Sequence, residues 1–358
     1  MKICLIVGTR PEIIKMAPVI HECIRRKLDF FILHTGQHYS YEMDQLFFKE
    51  LELPPPRYNI NAGLKSFRLQ IGMMLRKIKE ILVKERPGIV LVLGDTNSVL
   101  SGALAANQLN IPIGHIEAGL RSHDVAMVEE TNRIITDHIA TELYTPTTES
   151  RQNLIEEGLD EGKIFLTGNT VVDAVFQHKE MVDKKINVFA DLGIEKGKYM
   201  VITAHRPENV DVHERLKNML AAFEQVHAKY RLPLLWPIHP RTQKMIKSFS
   251  LAIPGCLTLL PPMGYLGFLQ LEAHAKIILT DSGSIQEEAC ILGVPCVTLR
   301  DNTERNETLT IGSNVLVGVE PSKIVEGVAQ MLSRDTRWKN PYGDGTSAKQ
   351  ILDIVLKK

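Results

Sequence analysis

The chain has 358 residues, enough for two domains of ordinary size. Its 42 basic and 42 acidic residues cancel, which excludes a global field drawing it to nucleic acid or a membrane surface. Any anionic ligand must be met by local cations. The five cysteines, Cys4, Cys23, Cys256, Cys290 and Cys296, are scattered with no CxxC pair, so they read as reduced packing residues rather than a disulfide framework or a zinc site. The apolar start Ile3–Val7 stops at Gly8-Thr9-Arg10-Pro11, too short for a secretion signal. No run approaches the roughly 18 apolar residues of a membrane span. The expectation is a cytoplasmic enzyme.

Short apolar runs alternate with longer amphipathic patterns. The predicted strands of the first half are Ile3–Val7, Phe30–His34, Ile89–Leu93, Ile113–Ile116 and Leu143–Tyr144. Those of the second half are Met200–Thr203, Leu234–Pro237, Leu257–Leu259, Ile277–Thr280 and Pro295–Leu299. Most are apolar throughout rather than alternating, as parallel strands covered on both faces are. Phe67–Glu85 and His213–Tyr230 carry helical periodicity. The alternation predicts an α/β chain of two Rossmann-like domains, each with about five or six parallel strands. Residues 1–172 form the first domain, a charged stretch over 173–198 the connector, and 199–346 the second domain. A last helix over 347–358 packs back on the first. Ligands of such sheets bind beyond the carboxyl ends of the strands, so the predicted site is a cleft where the two sets of ends face each other.

The polar residues directly after each strand then carry the information. Gly8-Thr9-Arg10-Pro11-Glu12-Ile13-Ile14-Lys15 turns into a helix whose N-terminus, with Arg10 and Lys15, suits an anion. It matches neither a Walker A loop nor GxGxxG, and a plain turn with two solvated cations fits equally. Thr35-Gly36-Gln37-His38 reads as a polar loop. Asp95, in Gly94-Asp95-Thr96-Asn97, is either a helix cap or a catalytic acid. Glu117, in His115-Ile116-Glu117-Ala118-Gly119-Leu120-Arg121, is costly if buried alone; the structural reading pairs it with Arg121. Glu129, Arg133 and Asp137 are spaced for a salt-bridge ladder on one helix face. His205 and His239 each follow a strand and suit either proton transfer or a loop. Thr280-Asp281-Ser282-Gly283-Ser284 is a strand–turn–helix that presents N–H groups and hydroxyls to phosphate, with Glu288 one turn on as an acceptor for ribose hydroxyls. Arg300 and Arg305 follow the last core strand.

Taken together, the Gly8–Glu12, Thr35–His38, Gly94–Thr96, His115–Arg121, Glu129–Arg133, Asp281–Gly283, Gln286–Glu288 and Thr303–Arg305 segments resemble the non-hydrolysing UDP-N-acetylglucosamine 2-epimerases, in order and over nearly the whole chain. Hydrolysing relatives lack the Glu117–Arg121 run. The resemblance implies a glycosyltransferase-B-like fold, a UDP-sugar substrate, no cofactor, no metal and a homodimer. It implies Asp95, Glu117, Glu129 and His205 as catalytic residues. Arg10, Lys15, Arg133, Ser282, Gly283, Glu288 and Arg305 fall at its substrate-binding positions. Gln37, His38, Arg68 and Gln70 lie where bacterial members bind a second, activating UDP-sugar. Three positions depart from the family: Val128 and Asn306 stand for prolines, and Ser284 for a glycine.

The chemistry this implies is interconversion of UDP-N-acetylglucosamine and UDP-N-acetylmannosamine. The C2 proton is not beside a carbonyl, so UDP must leave C1 before that proton is lost. The result is a 2-acetamidoglucal, to which UDP re-adds with C2 inverted. Departing UDP calls for cations and helix N-termini, and proton handling on two ring faces calls for more than one carboxylate. Three other readings remain: an epimerase for a 2,3-diacetamido uronic acid sugar, a UDP-sugar glycosyltransferase, and a non-catalytic nucleotide-sugar sensor.

Overall fold

A computed structural model of the chain describes residues 1–37, 41–63, 67–124 and 126–357. The chain folds into two compact units, Met1–Gln177 with Tyr342–Lys358, and His178–Pro341. The division falls inside the helix Thr170–Lys185. Tyr342–Lys358 return to the first unit. There Asp173 accepts from the N–H groups of Ser347 (3.2 Å) and Ala348 (3.0 Å), capping the helix Ser347–Val355, and Arg26 pairs with Asp353 at 2.6 Å.

The first unit holds seven parallel strands: β1 (Ile3–Val7), β2 (Phe30–His34), β3 (Tyr58–Asn59), β4 (Ile89–Leu93), β5 (Ile113–Ile116), β6 (Glu142–Thr145) and β7 (Ile164–Leu166). Their order is β3-β2-β1-β4-β5-β6-β7. β1 and β4 are buried along their whole length, which explains their unbroken apolar runs. Ile6 and Val92 pack in one cluster with Met74, Ile78 and Leu82 of the helix Phe67–Glu85. The second unit holds six: β8 (Met200–Thr203), β9 (Leu234–Pro237), β10 (Leu257–Leu260), β11 (Ile277–Thr280), β12 (Cys296–Thr298) and β13 (Asn314–Leu316), ordered β10-β9-β8-β11-β12-β13. Trp236 of β9 lies edge-on to Phe223 of the helix His213–Tyr230, 5.6 Å between ring centres, in that unit's main core. Three edge strands, β3, β7 and β13, are additional to those predicted.

Each sheet reverses its winding once, between β1 and β4 and between β8 and β11. Crevices beyond the carboxyl ends open at such reversals. The residues that follow these four strands are Gly8–Glu12, Gly94–Thr96, Ala204–Arg206 and Asp281–Gly283. Among the described residues no helix is long and apolar enough to cross a membrane, and no three His, Cys, Asp or Glu side chains converge as a metal site.

One glycine fixes the loop after β5. Gly119 has φ +78°, and a Cβ there would lie 2.1 Å from the backbone oxygen of Ser150. Neither the dihedral nor the carbonyl can yield locally, so Gly119→Ala is expected to cost about 3 kcal/mol, read as a lowered urea midpoint at unchanged slope.

Candidate active site

In the first unit the chain passes from β1 through Gly8 into the helix Arg10–Arg25, and Thr9 caps that helix in a capping box. The carboxylate of Glu12 reaches back to accept from the N–H groups of Gly8 (2.5 Å) and Thr9 (3.2 Å). A Cβ on Gly8 would meet Ser98 Oγ at 2.0 Å, so only glycine lets the chain pass so near the first turn of the helix Asn97–Gln108. One turn on, buried Lys15 places Nζ 2.5 Å from Glu117 Oε1. Arg10 is half-buried, its guanidinium carbon 4.9 Å from the Phe47 ring centre.

After β4 the cap of the helix Asn97–Gln108 is Thr96, which accepts from the N–H groups of Ser98 (3.2 Å) and Val99 (3.4 Å). Asp95 is therefore released from capping, and its carboxylate meets Arg133. Thr96 also donates its hydroxyl proton to Glu12.

Glu117, directly after β5, has φ +69°, the left-handed region that a residue with a side chain rarely adopts. Such strain, of order 1–3 kcal/mol, persists only where the surroundings over-determine it. Here they do. Besides Lys15, Asn169 Nδ2 donates to Oε1 at 3.3 Å, and Arg133 donates to the Glu117 carbonyl at 2.8 Å. The Glu117–Arg121 pair is not formed: Arg121 binds Asp137 (2.8 Å) and Glu157 (2.7 Å). Nor does the helix Val128–Ile139 carry the expected ladder among the described residues. Arg133 turns to Asp95, and Asp137 lies between His115 Nδ1 (2.7 Å), Arg121 and the Gly119 N–H (3.2 Å). Burial would raise the Asp137 carboxyl, but His115 and Arg121 hold it below the usual aspartate range. The other ring nitrogen of His115 is 2.8 Å from the Gly94 carbonyl, tying this network to the loop bearing Asp95. Glu129 is exposed on the first turn of its helix, outside these hydrogen bonds.

Gln37 and Gln70 are both buried. Gln37 Oε1 accepts from the Ser98 N–H (3.0 Å) and hydroxyl (2.7 Å). Gln70 Nε2 donates to the carbonyls of Gln37 and Ala62, each at 3.0 Å. Asn97 donates to Gln70 at 3.0 Å, and Asn132 donates to Asn97 (3.1 Å) and to the Asp95 carbonyl (3.0 Å). His38 lies outside the described residues, as does the side chain of Arg68.

In the second unit, β8 and β11 end side by side. Asp281 is fully buried and accepts from the N–H groups of His205 and Arg206, each at 3.0 Å, and from Asn209 Nδ2 at 3.2 Å. His205 Nδ1 stands 3.2 Å from its carboxylate while the ring side chain stays 41% exposed. His205, His239, Pro237, Met263 and Phe268 line a cavity of about 190 Å³. Ser282 heads the helix Gly283–Leu292 without using its side chain as a cap. A Cβ on Gly283 would lie 2.5 Å from Glu304 Oε1. Burial opposes ionisation of Glu304, but Arg305, Arg300 and Arg206 hold its pKa down at about 2. Arg305 is buried and pairs with Glu287 at 2.8 Å. Glu288 is buried beside Glu272. Burial, then the neighbouring carboxyl of Glu288, pushes Glu272 well above the usual glutamate range.

A family model described as UDP-N-acetylglucosamine 2-epimerase matches residues 21–356. The UDP-N-acetylglucosamine 2-epimerase of Methanocaldococcus jannaschii is 48% identical over 361 residues, covering 99% of each chain. This chain belongs to the UDP-N-acetylglucosamine 2-epimerase family. A crystal structure of the M. jannaschii epimerase, in complex with UDP-GlcNAc and UDP, superposes with a TM-score of 0.94 over 100% of both chains at 48% identity. The fold is thus that of an epimerase with two parallel-sheet domains of the glycosyltransferase-B type. The family is not uniform in substrate. The UDP-2,3-diacetamido-2,3-dideoxy-D-glucuronate 2-epimerase of Pseudomonas aeruginosa is 37% identical over 361 residues, with 100% of each chain covered.

Within this epimerase fold, several site residues had been given no role from sequence. Glu12 had a legible signal, since Thr9-x-x-Glu12 is a capping box. Asn132 lies on the same helix as Arg133. Asn169 follows β7, an edge strand too short to be read, so nothing placed it near Glu117.

Proposed function

We propose that the chain interconverts UDP-N-acetylglucosamine and UDP-N-acetylmannosamine, as a cytoplasmic homodimer, by anti elimination and re-addition of UDP. The C1–O bond to UDP breaks and UDP keeps the electron pair. A carboxylate takes the C2 proton, and its C–H electrons form the C1–C2 double bond of the 2-acetamidoglucal. In the return step C2 receives a proton on its other face and a UDP oxygen rejoins C1. Asp95, Glu117 and Glu129 share the proton transfers, with Lys15 and Arg133 fixing the first two. Arg10, His205, the Ser282–Gly283 turn and the cations around Glu304, Arg305 among them, serve the diphosphate. Glu288 accepts from the ribose.

The observation that carries this reading is Glu117 at φ +69°, one strand beyond the sheet's reversal, clamped by Lys15, Asn169 and Arg133. A strained, buried carboxylate between two cations is a reactive group held in place, not a surface charge. The test is UDP-N-acetylglucosamine in D₂O with no acceptor. Deuterium at C2 together with UDP-N-acetylmannosamine is expected. Turnover only when an acceptor sugar is added would make the chain a transferase, and binding without exchange would make it a sensor. The P. aeruginosa relative supports one further assay, with the 2,3-diacetamido uronic acid sugar as competitor.

A further inference from the structure

Glu12 is a buried carboxyl that the proposed chemistry leaves without work. It joins two loops. Three donors converge on it: the N–H groups of Gly8 (2.5 Å) and Thr9 (3.2 Å) at the end of β1, and the Thr96 hydroxyl at the end of β4. Thr96 is the residue after Asp95. We propose that Glu12 is the positioning residue for Asp95, its carboxylate clamping the Asp95–Thr96 peptide to the end of β1. This rests on the epimerase reading above, in which Asp95 handles a proton.

The argument turns on the Thr96 hydroxyl. Its lone pairs accept from the N–H groups of Ser98 (3.2 Å) and Val99 (3.4 Å), so its single proton points at Glu12 Oε1. An ionised Glu12 receives that proton along with the two N–H bonds. A protonated Glu12 has one fewer acceptor site, and a proton on Oε1 would face a hydroxyl proton already aimed at it. The hydroxyl must then rotate and slacken either the helix cap or the clamp. The other holds come from the opposite side: Asn132 bonds the same peptide at the Asp95 carbonyl (3.0 Å) and Arg133 the Asp95 carboxylate, both from the helix Val128–Ile139, whereas Glu12 ties the loop to the end of β1.

Ionisation of this clamp falls in the working range. Burial pushes Glu12 up to about 7; the bonds from Thr96, Gly8 and Thr9 pull down, and the charge of Asp95 pushes up. Asp95 is the charged group acting on it. Lys15, on the same helix, is engaged with Glu117, and Arg133 with Asp95. A capping box that served only the helix would affect stability and leave the pH dependence of turnover alone.

The test is C2 deuterium exchange on UDP-N-acetylglucosamine at saturating and limiting substrate across the neutral pH range. Wild type is expected to show an acid limb in kcat near pH 7. Glu12→Gln should lower kcat about 10²-fold, keep KM within a few-fold and lose that limb. Thr96→Val removes the hydroxyl through which Glu12 acts, so kcat should fall as in Glu12→Gln and the limb should be lost; Thr96→Ser should restore both. A Glu12→Gln enzyme with kcat near wild type, or a Thr96→Val enzyme that keeps the limb, overturns the inference. If wild type exchanges no deuterium, the epimerase reading falls, and the clamp is judged without turnover. The carboxyl band missing from Glu12→Gln in a difference infrared titration should titrate near pH 7 in wild type and higher in Thr96→Val; no such band overturns it.

Discussion

Glu117→Gln is expected to slow C2 deuterium exchange by about 10²–10⁴-fold, the usual worth of one general acid–base group. UDP affinity by calorimetry should stay within a few-fold, because the groups proposed for the diphosphate lie mainly in the other unit. The amide is isosteric, so backbone strain and the carbonyl bond from Arg133 survive, and the new amide oxygen can still accept from Lys15. What is lost is a group that takes and returns a proton. A secondary cost follows from Lys15, whose cation stays buried with its counter-charge removed. That should lower unfolding free energy by about 1–3 kcal/mol. The double variant Lys15→Met with Glu117→Gln separates the two effects: stability should recover while exchange stays slow. Exchange at near wild-type rate in Glu117→Gln would remove Glu117 from the chemistry.

The reason Glu117 stood out only partly in the sequence lies in what sequence encodes locally. The central strands β1, β2, β4 and β5, and β8, β9 and β11, are covered on both faces and appear as unbroken apolar runs, so both domains were legible. Edge strands β3, β7 and β13 are two or three residues long and partly exposed, Leu166 at 49%, so their pattern drowns in loop composition. The site shows the same division. Residues following a legible strand, such as Asp95, Glu117, His205 and Ser282, could be nominated by position. Their partners could not, since a pair such as Lys15–Glu117 or Arg133–Asp95 is made by the strand order β1-β4-β5, not by spacing. Spacing pointed instead to Arg121 for Glu117 and to Glu129 for Arg133, and both were wrong. Two departures from the family also acquire a physical meaning. Val128 and Asn306 each begin a helix, the position where proline is favoured for its preset φ and needs no N–H bond. Losing proline there gives up some preorganisation and leaves the helix intact. Ser284 sits half-buried in the first turn after Gly283, where its side chain adds a hydroxyl near the proposed phosphate turn.

In the second unit the largest expected effect belongs to Asp281, a residue with no role assigned from sequence. Asp281→Ala should lower unfolding free energy by about 3 kcal/mol, the cost of leaving donors to a buried carboxylate unsatisfied. Its carboxylate collects the N–H groups of His205 and Arg206, the amide of buried Asn209 and the ring of His205. Alanine strands these donors together, at the point where the end of β8 is tied to the end of β11. The pH dependence gives the sign. Burial would raise this carboxyl, but His205 and the two backbone N–H groups outweigh it and hold it below the usual aspartate value. A depressed folded pKa contributes stability above the unfolded value, about 3.9, and loses it as pH falls through the folded one. The gap between wild type and Asp281→Ala in urea melts should therefore be full at neutral pH and shrink only below about pH 4. UDP should bind Asp281→Ala about tenfold more weakly, since a loosened His205 ring must be ordered again on binding. Equal urea midpoints at neutral pH would show that the His205–Arg206 turn holds itself, and would remove Asp281 as its anchor.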